Sequence, residues 1–339
     1  MPIVQDPLPA RRTTGTIPRM RRLGSIQPDH LSAVLQSVRF QGAIYCRSEW
    51  SAPWGFSIRA RDVATFHLVA RGRCCLQVDG LKQPVWIGEG DLVILPTGRA
   101  HTVRDVPSSP VTHLEDLIAG AARDASGVLR AGGGGATTGL VCGGFWFEDR
   151  AHPLLPSLPP LIHLRGRRRG TDGWLNLTLA FLAEEADSRR PGADTMVVRL
   201  ADLLFIEAVR AYMSAPGAPK SGLAAALRDP RIATAVVSIH RQPESKWDVR
   251  RLAQQAAMSR AAFVDRFKSL VGESPISYVT RCRMSRATAL LASSHVPLSQ
   301  IAARAGYESE ASFGRAFKRN IGLSPAAYRK RRVTVESDR

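Results

Sequence analysis

Two histidines in the first half of the chain carry side chains that can bind a metal or transfer a proton. His67 stands in the apolar run Thr65–Val69, and His101 ends the segment Gly90–His101, whose last six residues follow a Pro-x-Gly-x-x-His pattern. A buried strand followed by a Pro-Gly turn can direct such a histidine into the interior of a β-rich domain. Two imidazoles are too few for a metal site, so we predict a hydrogen-bonded pair and no metal.

Five cysteines add thiol chemistry. Cys74 and Cys75 are adjacent in a strand pattern and point to opposite faces, so they do not pair with each other. Cys282 lies within a long helical segment and is expected to be a buried free thiol. Cys46 and Cys142 stand at the edges of two predicted strands.

The segments that must position these side chains predict an α+β protein. Strands are indicated where short apolar runs are broken by Gly and Pro, namely at Ala43–Cys46, Thr65–Val69, Cys74–Val78, Asp91–Leu95 and Leu140–Cys142. The Gly-rich segment Ala131–Gly139 reads as a flexible loop. Trp174–Ala186 and Asp194–Met213 predict two helices, and the apolar stripe of the second suggests either a dimer seam or packing on the sheets.

Composition divides the chain into parts. Residues 1–27 are basic and Pro-rich and predict a disordered arm, residues 28–213 form a first domain, and residues 214–228, with an Ala-Pro-Gly-Ala-Pro run, predict a linker. Residues 229–332 are helical, and 333–339 form a tail. Because no stretch approaches ~20 apolar residues and the N-terminus lacks the apolar core of a signal peptide, we expect no membrane contact and a cytoplasmic location.

One pattern occurs twice in the last hundred residues, at an offset of 49 to 50. The first copy runs from Leu252 to Tyr278 and the second from Ile301 to Tyr328. Each copy has a short helix with an alanine face, a break, a Ser-capped second helix with two phenylalanines four residues apart, and then a Gly followed by Ser-Pro. This order is typical of a helix-turn-helix unit.

The second helix of each copy, at about 259–270 and 309–320, leaves one face free. Arginine reads guanine and small apolar side chains contact thymine methyl groups in the major groove, while Lys and Arg hold phosphates. The residues predicted to contact double-stranded DNA are Ser259, Arg260, Ala261, Ala262, Val264, Asp265, Arg266 and Lys268 in the first copy, and Ser309, Glu310, Ala311, Arg315, Lys318 and Arg319 in the second.

A long helix from Pro275 to about Leu291 joins the two copies, and its length of roughly 25 Å suits two reading helices about one DNA turn, ~34 Å, apart. Charge agrees with a nucleic-acid partner. Between Asp229 and Arg332 there are 19 Lys and Arg and 7 Asp and Glu, so this region carries +12 of the total +18.

The run from Ala305 to Arg329 resembles the signature of the AraC/XylS family of bacterial transcription regulators, and the likeness extends over about Asp229–Arg332. The resemblance implies base readers at Ala261, Val264 and Asp265 and at Glu310, Ala311 and Arg315. The first copy departs from the pattern with small or acidic side chains, which points to methyl contacts or to readout of DNA shape.

Residues 90–101 resemble the second motif of the cupin barrel, with His67 as the remnant of the first, and about 29–210 are similar to the cupin-type effector domain of many such regulators. A metal-binding cupin would use His-x-His and a nearby Glu before the later His, and only two of these four ligands are present. The resemblance therefore implies a jelly-roll barrel followed by helices, with no cofactor and no catalytic residues.

The surroundings of Cys46 and Cys142 resemble a cupin subgroup with redox-responsive members. On that resemblance, and because Arg47 beside Cys46 would favour its thiolate, we hypothesise an oxidant-sensitive pair. The alternative, which stays open, is a barrel that binds an unknown small molecule while the thiols only pack. His67 and His101 are candidates for either kind of sensing.

Together these features predict a sequence-specific transcription regulator, an activator rather than a repressor, with RNA polymerase as a partner implied by the resemblance and a possible homodimer. Two rivals remain: a metal-dependent cupin enzyme tethered to DNA, and a DNA-binding protein without sequence preference. The missing ligands argue against the first, and the duplicated reading helices argue against the second.

Overall fold

The structure is a computed structural model, and it describes residues 29–120, 128–149, 152–166, 173–187, 190–215, 220–293 and 296–330. The predicted arm at 1–27 and the predicted tail at 333–339 lie outside these residues. Within the described residues, no helix combines the length and the apolar character needed to cross a bilayer.

Eleven described strands form two sheets in the first half of the chain. The larger sheet has the order β11-β6-β3-β10-β1-β9 and the smaller one β5-β4-β7-β2-β8. The strands are β1 (Phe40–Ser51), β2 (Gly55–Ile58), β3 (Ala64–Arg71), β4 (Arg73–Val78), β5 (Val85–Gly88), β6 (Leu92–Leu95), β7 (His101–Arg104), β8 (Thr112–His113), β9 (Leu129–Gly132), β10 (Thr137–Phe147) and β11 (Ile162–Leu164).

Strand β3 lies in the middle of the larger sheet, and its apolar residues do not alternate with polar ones. Phe66 and Leu68 face the helices that cover the larger sheet, whereas Val69 belongs to the core between the two sheets. Both faces of the strand are therefore buried, and a strand buried on both faces reads as a continuous apolar run. All five predicted strand segments lie within strands of the structure, apart from Asp91, which immediately precedes β6.

The Gly-rich segment is more ordered than the sequence predicted. Strand β9 ends at Gly132 and β10 begins at Thr137, so only residues 133–136 form a turn instead of the flexible loop expected over 131–139. Gly132 has a φ of 124°, and a Cβ there would come within 1.9 Å of the Ser51 carbonyl oxygen. The glycines therefore allow close approach of backbone to β1.

The helices agree with the prediction except in the linker. They are α1 (His30–Leu35), α2 (Leu114–Gly120), α3 (Gly173–Asp187), α4 (Ala193–Ser214), α5 (Leu223–Arg228), α6 (Pro230–Arg241), α7 (Val249–Gln255), α8 (Arg260–Val271), α9 (Pro275–Ser293), α10 (Leu298–Arg304) and α11 (Glu310–Ile321), with a short 3-10 helix at Leu155–Ser157. The linker predicted at 214–228 is wrong for residues 223–228. Their Leu and Ala residues favour a helix, and α5 buries them.

The hydrophobic core crosses the boundary between the two halves of the chain. One continuous cluster includes Phe66 and Phe145 of the sheet, Phe205 of α4, Ile232 of α6 and Phe263 of α8. The second helix-turn-helix unit has a separate cluster built around Phe313 and Phe317. The first unit therefore shares a core with the β-domain through α5 and α6, whereas the second is held mainly through α9.

Candidate nucleic-acid interface and thiol site

The first helix-turn-helix unit consists of α7 and α8. Asp248 caps α7 by accepting a hydrogen bond from the Arg251 amide at 2.7 Å, and Ser259 caps α8 by accepting one from the Ala262 amide at 3.4 Å. The turn between the helices contains Ala257, whose φ is 50°. An alanine in this left-handed conformation is strained, so tertiary packing must impose the turn.

The second unit, α10 and α11, repeats this arrangement. Ser309 caps α11 through the Ser312 amide at 3.2 Å, and Gly306 takes the turn position with a φ of 79°. A Cβ on Gly306 would lie 2.8 Å from the Cα and carbonyl oxygen of Glu244. Glycine is therefore required here for conformation and for space.

Aromatic packing has almost the same geometry in both units. The ring centroids of Phe263 and Phe267 are 5.5 Å apart, as are those of Phe313 and Phe317. Tyr278 packs edge-on against Phe267, with ring centroids 5.7 Å apart. In the second unit Tyr328 packs edge-on against Phe317, with ring centroids 5.6 Å apart. All four phenylalanines are fully buried, which turns the opposite face of each second helix outward.

Most of the residues predicted to contact DNA are on that outward face. The exposed ones are Ser259, Arg260, Ala261, Ala262, Asp265, Arg266, Lys268, Ser309, Glu310, Ala311, Arg315, Lys318 and Arg319. Val264 is half-buried and packs against the core. The hydroxyl oxygens of the two serines accept the cap hydrogen bonds of α8 and α11 and so fix the starts of these helices.

Arg266 has a structural partner that the sequence did not indicate. Its Nε donates to Oδ2 of Asp229 at 2.6 Å, and Asp229 is also the N-cap of α6. Burial opposes ionisation of Asp229, but hydrogen bonds from the Ile232 amide and from Arg266 outweigh it and lower the pKa of Asp229. Arg266 thus ties α8 to α6.

Cys46 and Cys142 lie directly opposite each other on the antiparallel strands β1 and β10. Cα atoms in such pairs are about 4.5 to 5.5 Å apart, which is within the range that a disulfide spans. Neither residue is in a disulfide, and Cys142 is buried whereas Cys46 is partly exposed. The hydrogen bond with Cys46, together with burial, raises the pKa of the Cys142 thiol well above its usual value.

The buried imidazoles of His67 and His101 form a row of contacts that begins at Cys142. Nδ1 of His67 lies 3.1 Å from the Cys142 sulfur, and Nε2 of His67 lies 2.8 Å from Nε2 of His101. Nδ1 of His101 donates to the carbonyl oxygen of Arg99 at 2.8 Å. Burial lowers the pKa of His67 well below its usual value and that of His101 to about 4, so both rings are neutral at pH 7.

The donor set does not fit a bound metal as it stands. His67 and His101 direct Nε2 atoms at each other rather than at a common point. Within the described residues, no group of three or more His, Cys, Asp or Glu side chains is arranged to hold a metal ion. The nitrogen atoms form a hydrogen-bonded chain instead.

The expected influence of Arg47 on the Cys46 thiol is an effect of charge through space and stays a prediction. Successive side chains of a strand point to opposite faces, so Arg47 is on the other side of β1 from Cys46. The charge that acts on the Arg47 guanidinium is Glu49, two residues further on. The base next to the thiol pair is His67, which β3 supplies from the neighbouring position of the sheet.

A cavity of about 260 Å³ adjoins the thiol pair. It is lined by Cys46, Ile58, Arg61, Val63, Thr65, His67, Leu114, Ile118, Cys142 and Gly143. The sequence analysis missed Arg61 and the two α2 residues, because a short helix after β8 has no strong sequence signal. The cavity gives a small reactant a place beside both sulfurs.

A polar contact between the β-domain and helices α6 and α9, which flank the first helix-turn-helix unit, was also missed. Oγ of Ser37 lies 3.0 Å from Nε2 of His152 and 2.9 Å from Nδ1 of His240, whose Nε2 is 2.7 Å from the Tyr278 hydroxyl. Burial lowers the pKa of His240 to about 3 and that of His152 well below its usual value. Both rings are therefore neutral at pH 7.

A second bond at this boundary joins Thr288 of α9 to the β-domain. Its hydroxyl donates to Oδ1 of Asp149 at 2.9 Å, and both side chains are buried. A cavity of about 440 Å³ lies beside the contact, between the end of α1 and helices α6 and α9. The boundary therefore combines an apolar core with a few directional hydrogen bonds.

A β-sandwich followed by two helix-turn-helix units, each with an exposed second helix, is the architecture of a DNA-binding transcription regulator. A family model described as "Cupin" matches residues 29–214, and one described as "Helix-turn-helix domain" matches residues 252–331. The chain belongs to the AraC family of transcription regulators, with a cupin domain at its N-terminal side.

Several relatives match along most of their length. The HTH-type transcriptional regulator AlkR of Acinetobacter baylyi is 33% identical over 89% of this chain and 99% of its own. A Streptomyces lividans protein described as an AraC-like transcription regulator is 34% identical over 89% and 98%. The RCS-specific HTH-type transcriptional activator RclR of Escherichia coli is 27% identical over 89% and 98%.

Proposed function

We propose that this protein is a sequence-specific transcription activator that responds to an oxidant through Cys46 and Cys142. The observation that carries the proposal is the cross-strand position of the two thiols, with His67 in contact with Cys142. In this proposal residues 28–213 sense and dimerise, and residues 229–332 read two successive major grooves. Formation of the Cys46–Cys142 disulfide changes how the reader meets its site.

The contact between the two domains supports this route of coupling. Cys142 lies on β10, whose other side chains Val141 and Phe145 belong to the core that continues into α6 and α8. A shift of β10 on disulfide formation reaches the reader through that core and through Ser37 and His240. Interiors packed at this density transmit small displacements rather than absorb them.

The test is recovery of bound genomic DNA fragments by the purified full-length protein, reduced and mildly oxidised, at physiological salt. We expect a bipartite motif with subsites about one helical turn apart, and an affinity that changes with oxidation. Cys46→Ser and Cys142→Ser remove the change, whereas Cys282→Ser, at another buried thiol, keeps it. Fragments without a common sequence would favour the non-specific binder.

Activation, RNA polymerase contact and a cytoplasmic location are part of the same proposal. RclR is a transcriptional activator by name, and the match to it extends over both domains of this chain. The expected result is an increase in transcription by purified RNA polymerase from a promoter that carries the recovered motif. Repression at every such promoter would contradict the activator part alone.

A homodimer is supported by exposed apolar side chains on two packed helices. Leu177 and Phe181 of α3 are 60% and 59% exposed, and Met196 and Leu203 of α4 are 53% and 49% exposed. Leu204, the next residue along α4, is buried in the core instead. Sedimentation should show a dimer that Phe181→Glu with Leu203→Glu converts to a monomer, whereas Trp86→Glu, at an exposed site on β5, leaves it dimeric.

A small-molecule effector is the second candidate, favoured by the 260 Å³ cavity beside the thiols. It predicts that Cys46→Ser and Cys142→Ser each leave regulation in cells unchanged. Filling the cavity with Thr65→Leu would then abolish the response. The oxidant proposal predicts the opposite for the two serine variants.

A further inference from the structure

We propose that Arg283 and the loop at residues 242–247 hold the two helix-turn-helix units at a fixed distance and rotation, and so set the spacing of the DNA subsites that the protein accepts. The loop joins α6 to α7, and Arg283 lies in α9. The proposal rests on the reading of two successive major grooves proposed above. It adds the residues that determine the spacing.

Helix α9 belongs to two separate cores. Tyr278 and Cys282 are part of the cluster that contains the first unit, whereas Met284 and Leu291 are part of the cluster of the second unit. Arg283 lies where one core ends and the other begins. A long helix by itself curves gently, so α9 alone does not fix how α11 is oriented relative to α8. The orientation therefore depends on contacts that cross this boundary.

The Arg283 guanidinium contacts both sides of the boundary. Its Nε donates to the Pro243 carbonyl oxygen at 2.9 Å, and its Nη2 donates to the Ser245 carbonyl oxygen at 2.9 Å. Its Cζ lies 5.6 Å from the ring centroid of Tyr307, which is in the turn of the second unit. A guanidinium is planar and its donors form a rigid fork. Two carbonyls of the loop thus fix the plane on which the Tyr307 ring packs.

The loop also touches the second unit directly. A Cβ on Gly306 would lie 2.8 Å from the Cα and the carbonyl oxygen of Glu244, so the backbone of the turn is in contact with the backbone of the loop. Oε2 of Glu244 accepts a hydrogen bond from Nη1 of Arg286 at 2.7 Å. The loop is therefore held against α9 and against the turn between α10 and α11.

A fixed connection makes the reader selective for spacing. One additional base pair moves the second subsite about 3.4 Å along the duplex and about 35° around it. A rigid reader loses the contacts of one unit on such a duplex, whereas a loosened reader follows the displaced subsite. A loosened reader must also be ordered on binding, which weakens its binding at the correct spacing. Loss of the connection therefore lowers affinity and raises tolerance together.

The test is selection from a pool of random-sequence duplexes by the full-length protein and by Arg283→Ala, at physiological salt and under reducing conditions. We expect the wild type to enrich two subsites at one spacing and the variant to enrich the same subsites at several spacings. Fluorescence anisotropy then compares two duplexes that differ by one base pair inserted between the subsites. The insertion should weaken binding of the wild type about 30-fold or more and that of Arg283→Ala less than about 5-fold.

Arg281→Ala is the matched control. Arg281 is on the same helix, pairs with Glu273 and packs over Tyr278, so its removal takes away an arginine without removing the fork on the loop. It should keep the wild-type ratio between the two duplexes. Because the ratio is compared, a smaller folded fraction or a weaker general attraction to phosphates cancels.

Glu244→Ala is a second variant at the same contact. The side chains of Glu244 and Arg286 are each 40% exposed, so this change removes an ion pair without opening a core. It should lower the ratio by about twofold or more. If Arg283→Ala does not fold, the ratio of Glu244→Ala decides, and an unchanged value overturns the proposal.

The outcomes separate this proposal from the function on which it rests. A wild type that loses less than about 3-fold on insertion overturns the fixed spacing without any variant. An Arg283→Ala protein that keeps one spacing and binds both duplexes more weakly by the same factor overturns the role of Arg283, since a direct phosphate contact gives that result. If the wild type enriches a single subsite or no common sequence, the reading of two grooves fails as well.

Discussion

At the scale of single residues, two arginines of similar appearance in the sequence have different surroundings. Arg315 of α11 is exposed on the reading face. Arg266 of α8 is bound to Asp229, whose side chain is only 8% exposed. An arginine held by a buried carboxylate stabilises the fold first, whereas an exposed one is available to a base edge or a phosphate.

We therefore expect Arg315→Ala and Arg266→Ala to separate affinity from stability. Arg315→Ala should weaken binding to the recovered motif by about 1 to 3 kcal/mol and leave thermal unfolding unchanged. Arg266→Ala should lower the free energy of unfolding by about 1 kcal/mol, because it leaves Asp229 without its cation. Fluorescence anisotropy measures the DNA affinity and urea unfolding measures the stability. Equal losses of unfolding free energy in the two variants would contradict the distinction between the two arginines.

At the scale of elements, the two helix-turn-helix units differ at their turns. Ala257 and Gly306 occupy corresponding positions with φ values of 50° and 79°. Ala257→Gly should raise the free energy of unfolding by up to about 1 kcal/mol, since it removes left-handed strain. Gly306→Ala should lower it by more than that, because a Cβ also meets the Glu244 backbone. Urea unfolding of both variants tests this, and shifts in the same direction would be inconsistent with the turn geometry.

Sequence patterns predicted some of the helices and missed others. Apolar periodicity and Ser caps predicted α8, α9 and α11 to within a residue or two, because those signals are local. The linker prediction failed at α5, where a short apolar helix is stable only because the neighbouring domains bury it. The redox candidates Cys46 and Cys142 were named from the sequence, but the cross-strand register that makes them neighbours was not.

At the scale of the whole molecule, the contact between sensor and reader is where regulation is expected to pass. Ser37→Ala with Thr288→Val removes hydrogen bonds across this boundary while keeping its apolar core. The ratio of DNA affinities between oxidised and reduced protein should fall toward one, from the 5- to 150-fold typical of coupled sites. Thr280→Val, on the same helix, loses only a bond to the Ile276 carbonyl and should preserve the ratio.

Acid should destabilise the molecule through its buried neutral histidines. Burial depresses the pKa of His240 to about 3 and that of His101 to about 4. Their stabilising contribution is present above the unfolded pKa near 6.5 and is lost as pH falls toward the folded values, because the unfolded chain binds more protons there. His240→Asn should reduce the slope of unfolding free energy between pH 6 and 4 by up to about 1.4 kcal/mol per pH unit. An unchanged slope would mean that His240 is protonated in the folded protein.

The sequence by itself determined the class of this protein, since a duplicated unit, its caps and its basic charge are local features that a single chain displays without folding. It also named the thiols and histidines. Only the tertiary structure decided that His67 faces Cys142, that Arg266 is bound to Asp229 and that one core continues from the β-domain into the helices around the first helix-turn-helix unit. Those outcomes depend on strand register and on contacts between residues 30 to 200 positions apart, and no local pattern records such distances.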